Sequence, residues 1–338
     1  MLSINSLKYN VFSNQKEIDL SQYGRYLLYN GFSRPAMLIC ETINSCNNNC
    51  VICANAIMTR RKEIMSMKIF EEIIRSYIDM GGGRLSLTPV VGDIFMDPLL
   101  SERIALIKQY KLKGITSLSV TTNAVLAIKY PEPELKSILG QFDKIFISIY
   151  GLDADEYRQM TQRDSFEDMI QSVKTLQRLI DKPEKISFGF RLLRDYTANG
   201  LDLWIRDHFN RRVVFQAMNT YANWGRPDAL QPLPGFARWI PITENASQCL
   251  IPLIAMQVFS NGNVSFCSCD DYDADEELSL GNIRDAGLIE LYNREKVRNL
   301  WNFATGMPLF CKRCSFHRPI SQFNICSLLE NPLDFIGG

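Results

Sequence analysis

Histidine is nearly absent from this chain: there are two in 338 residues, His208 and His317. That leaves little room for histidine-based acid–base work or for zinc sites that rely on imidazole. Charge of either sign is also not in excess, because 37 basic residues meet 37 acidic ones. A balanced surface gives no reason to expect nucleic acid or an anionic membrane as a partner. No run of eighteen apolar residues occurs, so no membrane-spanning helix is expected. The opening MLSINSLKYNVF lacks a basic stretch followed by an apolar one, which argues against a secretory signal and for a cytoplasmic chain. Cysteine, by contrast, is plentiful, with ten residues. In a reducing compartment such cysteines serve as metal ligands or reactive thiols more often than as disulfides.

Residues 46 to 53 read C-N-N-N-C-V-I-C, which places Cys46, Cys50 and Cys53 at spacing C-x3-C-x2-C. Structural zinc sites prefer a close pair with a second pair nearby. Here the next cysteine is Cys249, so zinc fits poorly. A four-iron cluster held by three thiolates keeps one iron open for a small molecule.

The triplet after the strand-like MLICETINSC resembles the radical S-adenosylmethionine (radical SAM) enzymes. The resemblance implies that the open iron chelates SAM and that the reduced cluster cleaves it to a 5′-deoxyadenosyl radical. Ile52 departs from the pattern, since the family usually places an aromatic residue there against the adenine. The following text has the matching rhythm. Helical periodicity in MKIFEEIIRSYIDMGGG, SERIALIKQYKLKG, PELKSILGQF and SFEDMIQSVKTLQRLID alternates with strand-like RLSLTPVVGD, SLSVTTN, DKIFISIYG and EKISFGFRLL. Such alternation implies an α/β fold of parallel β/α units. About six units fit before residue 230, in keeping with the partial (β/α)6 TIM barrel of the family.

Strand ends carry the chemistry in such folds. Gly92 and Asp93 stand where the family has a Gly-Gly-Glu segment that contacts the SAM amino group; Val91 departs from its first glycine. Thr122, Asn123 and Ser148 are expected to offer polar contacts to the ribose or carboxylate of SAM, and Arg191 a two-pronged contact to that carboxylate.

From about residue 231 the text becomes irregular. V-F-S-N-G-N-V-S-F reads as a β-hairpin turning at Asn-Gly. Cys249, Gly262, Cys267 and the C-x2-C pair Cys311/Cys314 resemble the SPASM/twitch extension, whose signature is C-x(9–15)-G-x4-C followed by C-x2-C. The shorter twitch form implies one auxiliary [4Fe–4S] cluster on Cys249, Cys267, Cys311 and Cys314; two cysteine pairs on zinc is the alternative. The expected organisation is an N-terminal extension (1–36), a core barrel (37–230) and an auxiliary cluster domain (231–338). Cys40 reads as a small buried hydrophobe, Cys269 as a bystander, and Cys326 as undecided. The acidic run DDYDADEE at 270–277 reads as a solvated loop.

A radical generator beside a closed auxiliary cluster suggests a net two-electron oxidation, with the substrate radical losing a proton and passing on its electron. The base would come from Tyr150, Asp153 or Arg191. A flavodoxin or ferredoxin would supply reducing electrons. The twitch spacing is similar to that of cyclitol alcohol dehydrogenases, which favours a sugar- or cyclitol-type substrate. Residues 1 to 36, with the apolar patch YGRYLLYNGF, are too few for the leader-binding domain of many peptide-modifying maturases. A peptide (RiPP or sulfatase-type) maturase stays open, as do an iron–sulfur electron carrier or sensor and a family member that binds SAM without cleaving it. Tyr221, Trp224 and Arg226 fall between the two modules, as pocket lining or as an aromatic anchor.

Overall fold

The computed structural model describes residues 28–29, 32–210, 213–242, 249–303 and 305–319. Cys326 and most of the YGRYLLYNGF patch lie outside the described residues. Six strands follow one another through the first two-thirds of the chain: β1 (Met37–Cys40), β2 (Gly83–Ser86), β3 (Ile115–Thr122), β4 (Lys144–Tyr150), β5 (Ile186–Arg191) and β6 (Val214–Met218). Each pairs in parallel with the next. The helices between them are α1 (Met67–Asp79), α2 (Leu100–Tyr110), α3 (Glu132–Gln141), α4 (Ala154–Thr161), α5 (Phe166–Leu179) and α6 (Ala198–Phe209).

Local chemistry explains these elements. The α1 helix begins at Ser66, whose Oγ accepts the Ile69 amide at 3.3 Å. It buries Ile69, Phe70, Ile73, Ile74 and Tyr77, spaced to fall on one face. The strands are covered on both sides and therefore read as near-continuous apolar runs. Met37, Leu38, Ile39 and Cys40 of β1 are all buried, Cys40 as expected of a small hydrophobe, and its Sγ lies 4.0 Å from Met65 Sδ.

The sheet does not stop at β1. A seventh parallel strand, β7 (Ala255–Val258), lies on the other side of β1, pairing Ala255 with Met37 and Val258 with Cys40. It turns back through an antiparallel hairpin into β8 (Asn263–Ser265), which pairs with β9 (Ser279–Asn282). The sheet order is thus β9-β8-β7-β1-β2-β3-β4-β5-β6. The hairpin turns at Gly262, whose φ of 85° is open to glycine at little cost. The single turn α7 (Ile251–Ile254) precedes β7, and after β9 come α8 (Leu288–Tyr292), α9 (Glu295–Asn302) and α10 (Leu309–Arg313).

Candidate active site

The loop after β1 carries Cys46, Cys50 and Cys53, and three sets of contacts fix it. The first comes from the end of α4, where backbone carbonyls have no partner within the helix. Thr161 and Met160 accept the amides of Asn49 (2.9 Å) and Val51 (2.8 Å), while Asn48 Nδ2 donates to the Tyr157 hydroxyl at 3.3 Å. The second is the turn after β2. The Asp93 amide donates to the Ser45 carbonyl at 2.9 Å. Gly92, at φ 141°, packs so closely that a Cβ there would sit 2.7 Å from the Ile43 oxygen. The third is Asn123, whose Nδ2 donates to Cys46 Sγ (3.5 Å) and to Asn47 Oδ1 (3.0 Å).

A cavity of about 300 Å³ opens over this loop. Cys46, Cys50, Cys53, Ile52, Gly92, Asp93, Thr122, Asn123, Ser148, Tyr150 and Arg191 all line it. Parallel pairing brings the polar positions together at the C-terminal strand ends: Tyr150 sits opposite Arg191, and Arg191 opposite Met218. Asp93 is 1 % exposed. Its carboxylate accepts from Thr122 Oγ1 (2.7 Å), the Asn123 amide (2.8 Å) and the Phe95 amide (3.0 Å), so it orients the neighbouring strand end. Burial pushes its carboxyl up despite these donors. The Arg191 guanidinium is buried and lies 2.8 Å from Met218 Sδ.

Asp153, one of the expected bases, is placed away from the cavity. It caps α4 instead, accepting the Glu156 amide at 2.8 Å, and pairs with Arg194 at 3.4 Å. Tyr150 does face the cavity, but burial, then the neighbouring Cys50, pushes its hydroxyl well above its ordinary value. In this state the hydroxyl keeps its proton and is a hydrogen-bond donor to the cavity.

A second, smaller cavity of about 40 Å³ is lined by Cys249, Cys267, Cys269, Cys311 and Cys314, with Asp270, Phe316 and His317. Cys269, Asp270 and Phe316 line both cavities and form the wall between them. Cys269 is therefore no bystander in position. The acidic run is not a solvated loop either: Asp270 is 3 % exposed and Asp271 0 %. Cys314 Sγ donates to Asp270 Oδ2 at 3.2 Å, and Ser265 Oγ to Asp271 Oδ2 at 2.5 Å. Asp273 accepts from Thr59 and Arg60 beside the first cysteine loop. A run of four aspartates in eight residues reads as exposed by composition alone, and no periodicity marks the inward ones.

Both cysteine sets fit iron–sulfur clusters. Amides of Asn48 and Asn55 point at Cys46 Sγ (3.5 Å) and Cys53 Sγ (3.4 Å), and the Arg318 amide at Cys249 Sγ (3.4 Å). Such donors favour thiolates. Without metal, burial holds the thiols protonated, raising Cys46 and Cys267 to about 12. Burial raises the Cys50 thiol well above its ordinary value, and Cys53 and Cys46 add to the rise.

The sequence model described as "Radical SAM superfamily" matches residues 40–193, and that described as "Iron-sulfur cluster-binding domain", SPASM, matches residues 249–315. The chain thus carries a radical SAM domain followed by a SPASM domain. Its fold is the partial TIM barrel of that family, and its cofactors are a [4Fe–4S] cluster, SAM and an auxiliary cluster of the SPASM domain. Among curated proteins, a probable GTP 3′,8-cyclase of Methanothermobacter thermautotrophicus is 29% identical over 138 residues, 40% of this chain and 42% of that protein. The GTP 3′,8-cyclase of Alkaliphilus oremlandii is 25% identical over 145 residues, 42% of this chain and 43% of that protein. These matches span less than half the length of the curated relatives. Among solved structures, BtrN in complex with AdoMet and 2-DOIA superposes with a TM-score of 0.55 at 15% identity, covering 84% of this chain and 94% of that one. Streptococcus suis SuiB bound to S-adenosylmethionine gives 0.52 at 14% identity, covering 82% and 72%. At such identities the likeness concerns the fold.

Proposed function

We propose that this radical SAM protein is an oxidoreductase that removes two electrons from a small molecule held between its two cysteine sets. A sugar- or cyclitol-type alcohol is the favoured substrate class. The observation that carries this reading is the shared wall. The cavity over Cys46, Cys50 and Cys53 and the Cys249, Cys267, Cys311 and Cys314 cavity have Cys269, Asp270 and Phe316 in common in their lining.

In this reading Cys46, Cys50 and Cys53 hold the first cluster, and Cys249, Cys267, Cys311 and Cys314 the auxiliary one. When bound, SAM and the two clusters supply a hydrogen-abstracting radical on one side of the cavity and a one-electron acceptor on the other. The chain's own residues position and enclose. Asn123 and the amide of Asn48 hold Cys46 in place. Gly92 gives the turn its close approach, Thr122 and Ser148 offer hydroxyls, and Arg191 offers its guanidinium to the SAM carboxylate. The Trp224 indole donates to the Ile52 carbonyl at 2.9 Å and lines the cavity beside it, so aromatic surface is present although position 52 is aliphatic.

Anaerobic reconstitution tests this. The parent is expected to hold about eight irons, falling to about four in a Cys46→Ala/Cys50→Ala/Cys53→Ala variant. Only the parent should form 5′-deoxyadenosine from SAM and dithionite. About four irons in the parent would remove the auxiliary cluster and the oxidation argument with it.

A further inference from the structure

Arg318 lies just beyond the residues matched by the SPASM model. It lines the larger cavity with Ser268, Cys269, Asp270 and Phe316. Its backbone is fixed on both sides: its amide meets Cys249 Sγ at 3.4 Å, and its carbonyl accepts the Leu250 amide at 2.8 Å. Its guanidinium lies 4.0 Å from the centroid of the Phe316 ring, and Nη1 donates to the His317 carbonyl at 3.2 Å. None of the ion pairs among the described residues involves Arg318.

A guanidinium has five N–H donors in one plane. Stacking on a ring fixes that plane and leaves donors at its edge. A cation half-buried in a cavity is costly unless an anion meets it. Of the two carboxyls lining the cavity, Asp93 is held by three donors, whereas Asp270 accepts from Cys314 and feels the Arg318 charge, which lowers its carboxyl against the rise caused by burial. Arg191, the other guanidinium of the cavity, belongs to the strand end next to Tyr150.

We propose that Arg318 receives an anionic group, carboxylate or phosphate, on the substrate, so the molecule oxidised here is an acidic one anchored against the wall shared with the auxiliary site. This rests on the cavity being the radical site. The competing role is a counter-charge to the auxiliary cluster, which would move that cluster's potential without concerning substrate.

The test uses the reconstituted protein with SAM bound. Malonate, inorganic phosphate and, as neutral control, glycerol are titrated calorimetrically. At least one anion should bind the parent about tenfold or more tighter than glycerol. Arg318→Met should erase that preference, and Arg318→Lys should keep part of it. Iron content should stay near the parental value in both variants. Preference for malonate assigns a carboxylate and preference for phosphate a phosphate ester; either supports the proposal. Equal or absent binding of all three probes overturns it. So does an anion preference that survives in Arg318→Met, or a shifted potential with the preference unchanged. Formation of 5′-deoxyadenosine without probe is scored separately, so failure of the radical reading is distinguishable from failure of the anion site.

Discussion

Asp93 and Asp153 are both carboxylates following a strand, and burial separates them. Asp93 is enclosed and accepts three hydrogen bonds, whereas the Asp153 side chain is 49% exposed and caps α4. Asp153→Ala should therefore cost about 1 kcal/mol of stability, the usual worth of an N-cap. It should leave 5′-deoxyadenosine formation within about twofold of the parent; a loss of tenfold or more would return Asp153 to the catalytic set. Gly92 carries the opposite expectation. Its backbone at φ 141° is strained for any other residue, and a Cβ would press on the Ile43 oxygen beside the cysteine loop. Strain of that kind costs about 1–3 kcal/mol. Gly92→Ala should lower thermal stability and release the first cluster, seen as a fall of about four irons. Retention of all iron and SAM binding would mean that the turn adapts.

Between elements, the segment 270–277 acts as a clasp. Asp273 accepts from the Thr59 amide (2.8 Å), Thr59 Oγ1 (2.7 Å) and the Arg60 amide (2.9 Å). Arg60 in turn donates to the Tyr272 carbonyl and forms a buried pair with Glu41 at 2.8 Å. The chain on either side of the first cysteine loop is thus tied to the wall of the second cavity. Asp273→Ala removes three half-exposed hydrogen bonds and should cost about 2 kcal/mol in chemical denaturation. SAM affinity should fall while both iron counts hold; unchanged affinity would reduce the clasp to a surface contact. The repeating β/α units were legible because each buries a long apolar face with a clear period. The clasp was not, because its contacts join residues more than two hundred positions apart and its composition imitates a solvated loop. The α4 helix is eight residues long, with four charged or amide side chains, so its anchoring of the cysteine loop left no periodic trace. The cysteines themselves were legible, since spacing needs no folding to be read.

At the scale of the molecule, the C-terminal third is built into the barrel. Strand β7 pairs with β1 along all four residues, and the Glu41 amide continues that pairing to the Val258 carbonyl at 2.9 Å. Ser260 holds the Glu41 carboxylate through its amide and hydroxyl, both at 3.2 Å. Cys46 follows only five residues later. A chain cut after residue 242 would expose the edge of β1, a strand buried on every residue, and such an edge invites aggregation. The cut chain should therefore be insoluble or fail to assemble even the first cluster. Ligand loss without strand loss should act differently. Cys311→Ser/Cys314→Ser keeps β7, β8 and β9, so the soluble variant should hold about four irons and still form 5′-deoxyadenosine. If the proposed electron route holds, it should yield no two-electron product. Iron counts, deoxyadenosine and product measured on both forms separate the two roles. A cut chain that assembles the first cluster would show that β7 is dispensable. Product from the double serine variant would show that the electron leaves by another route.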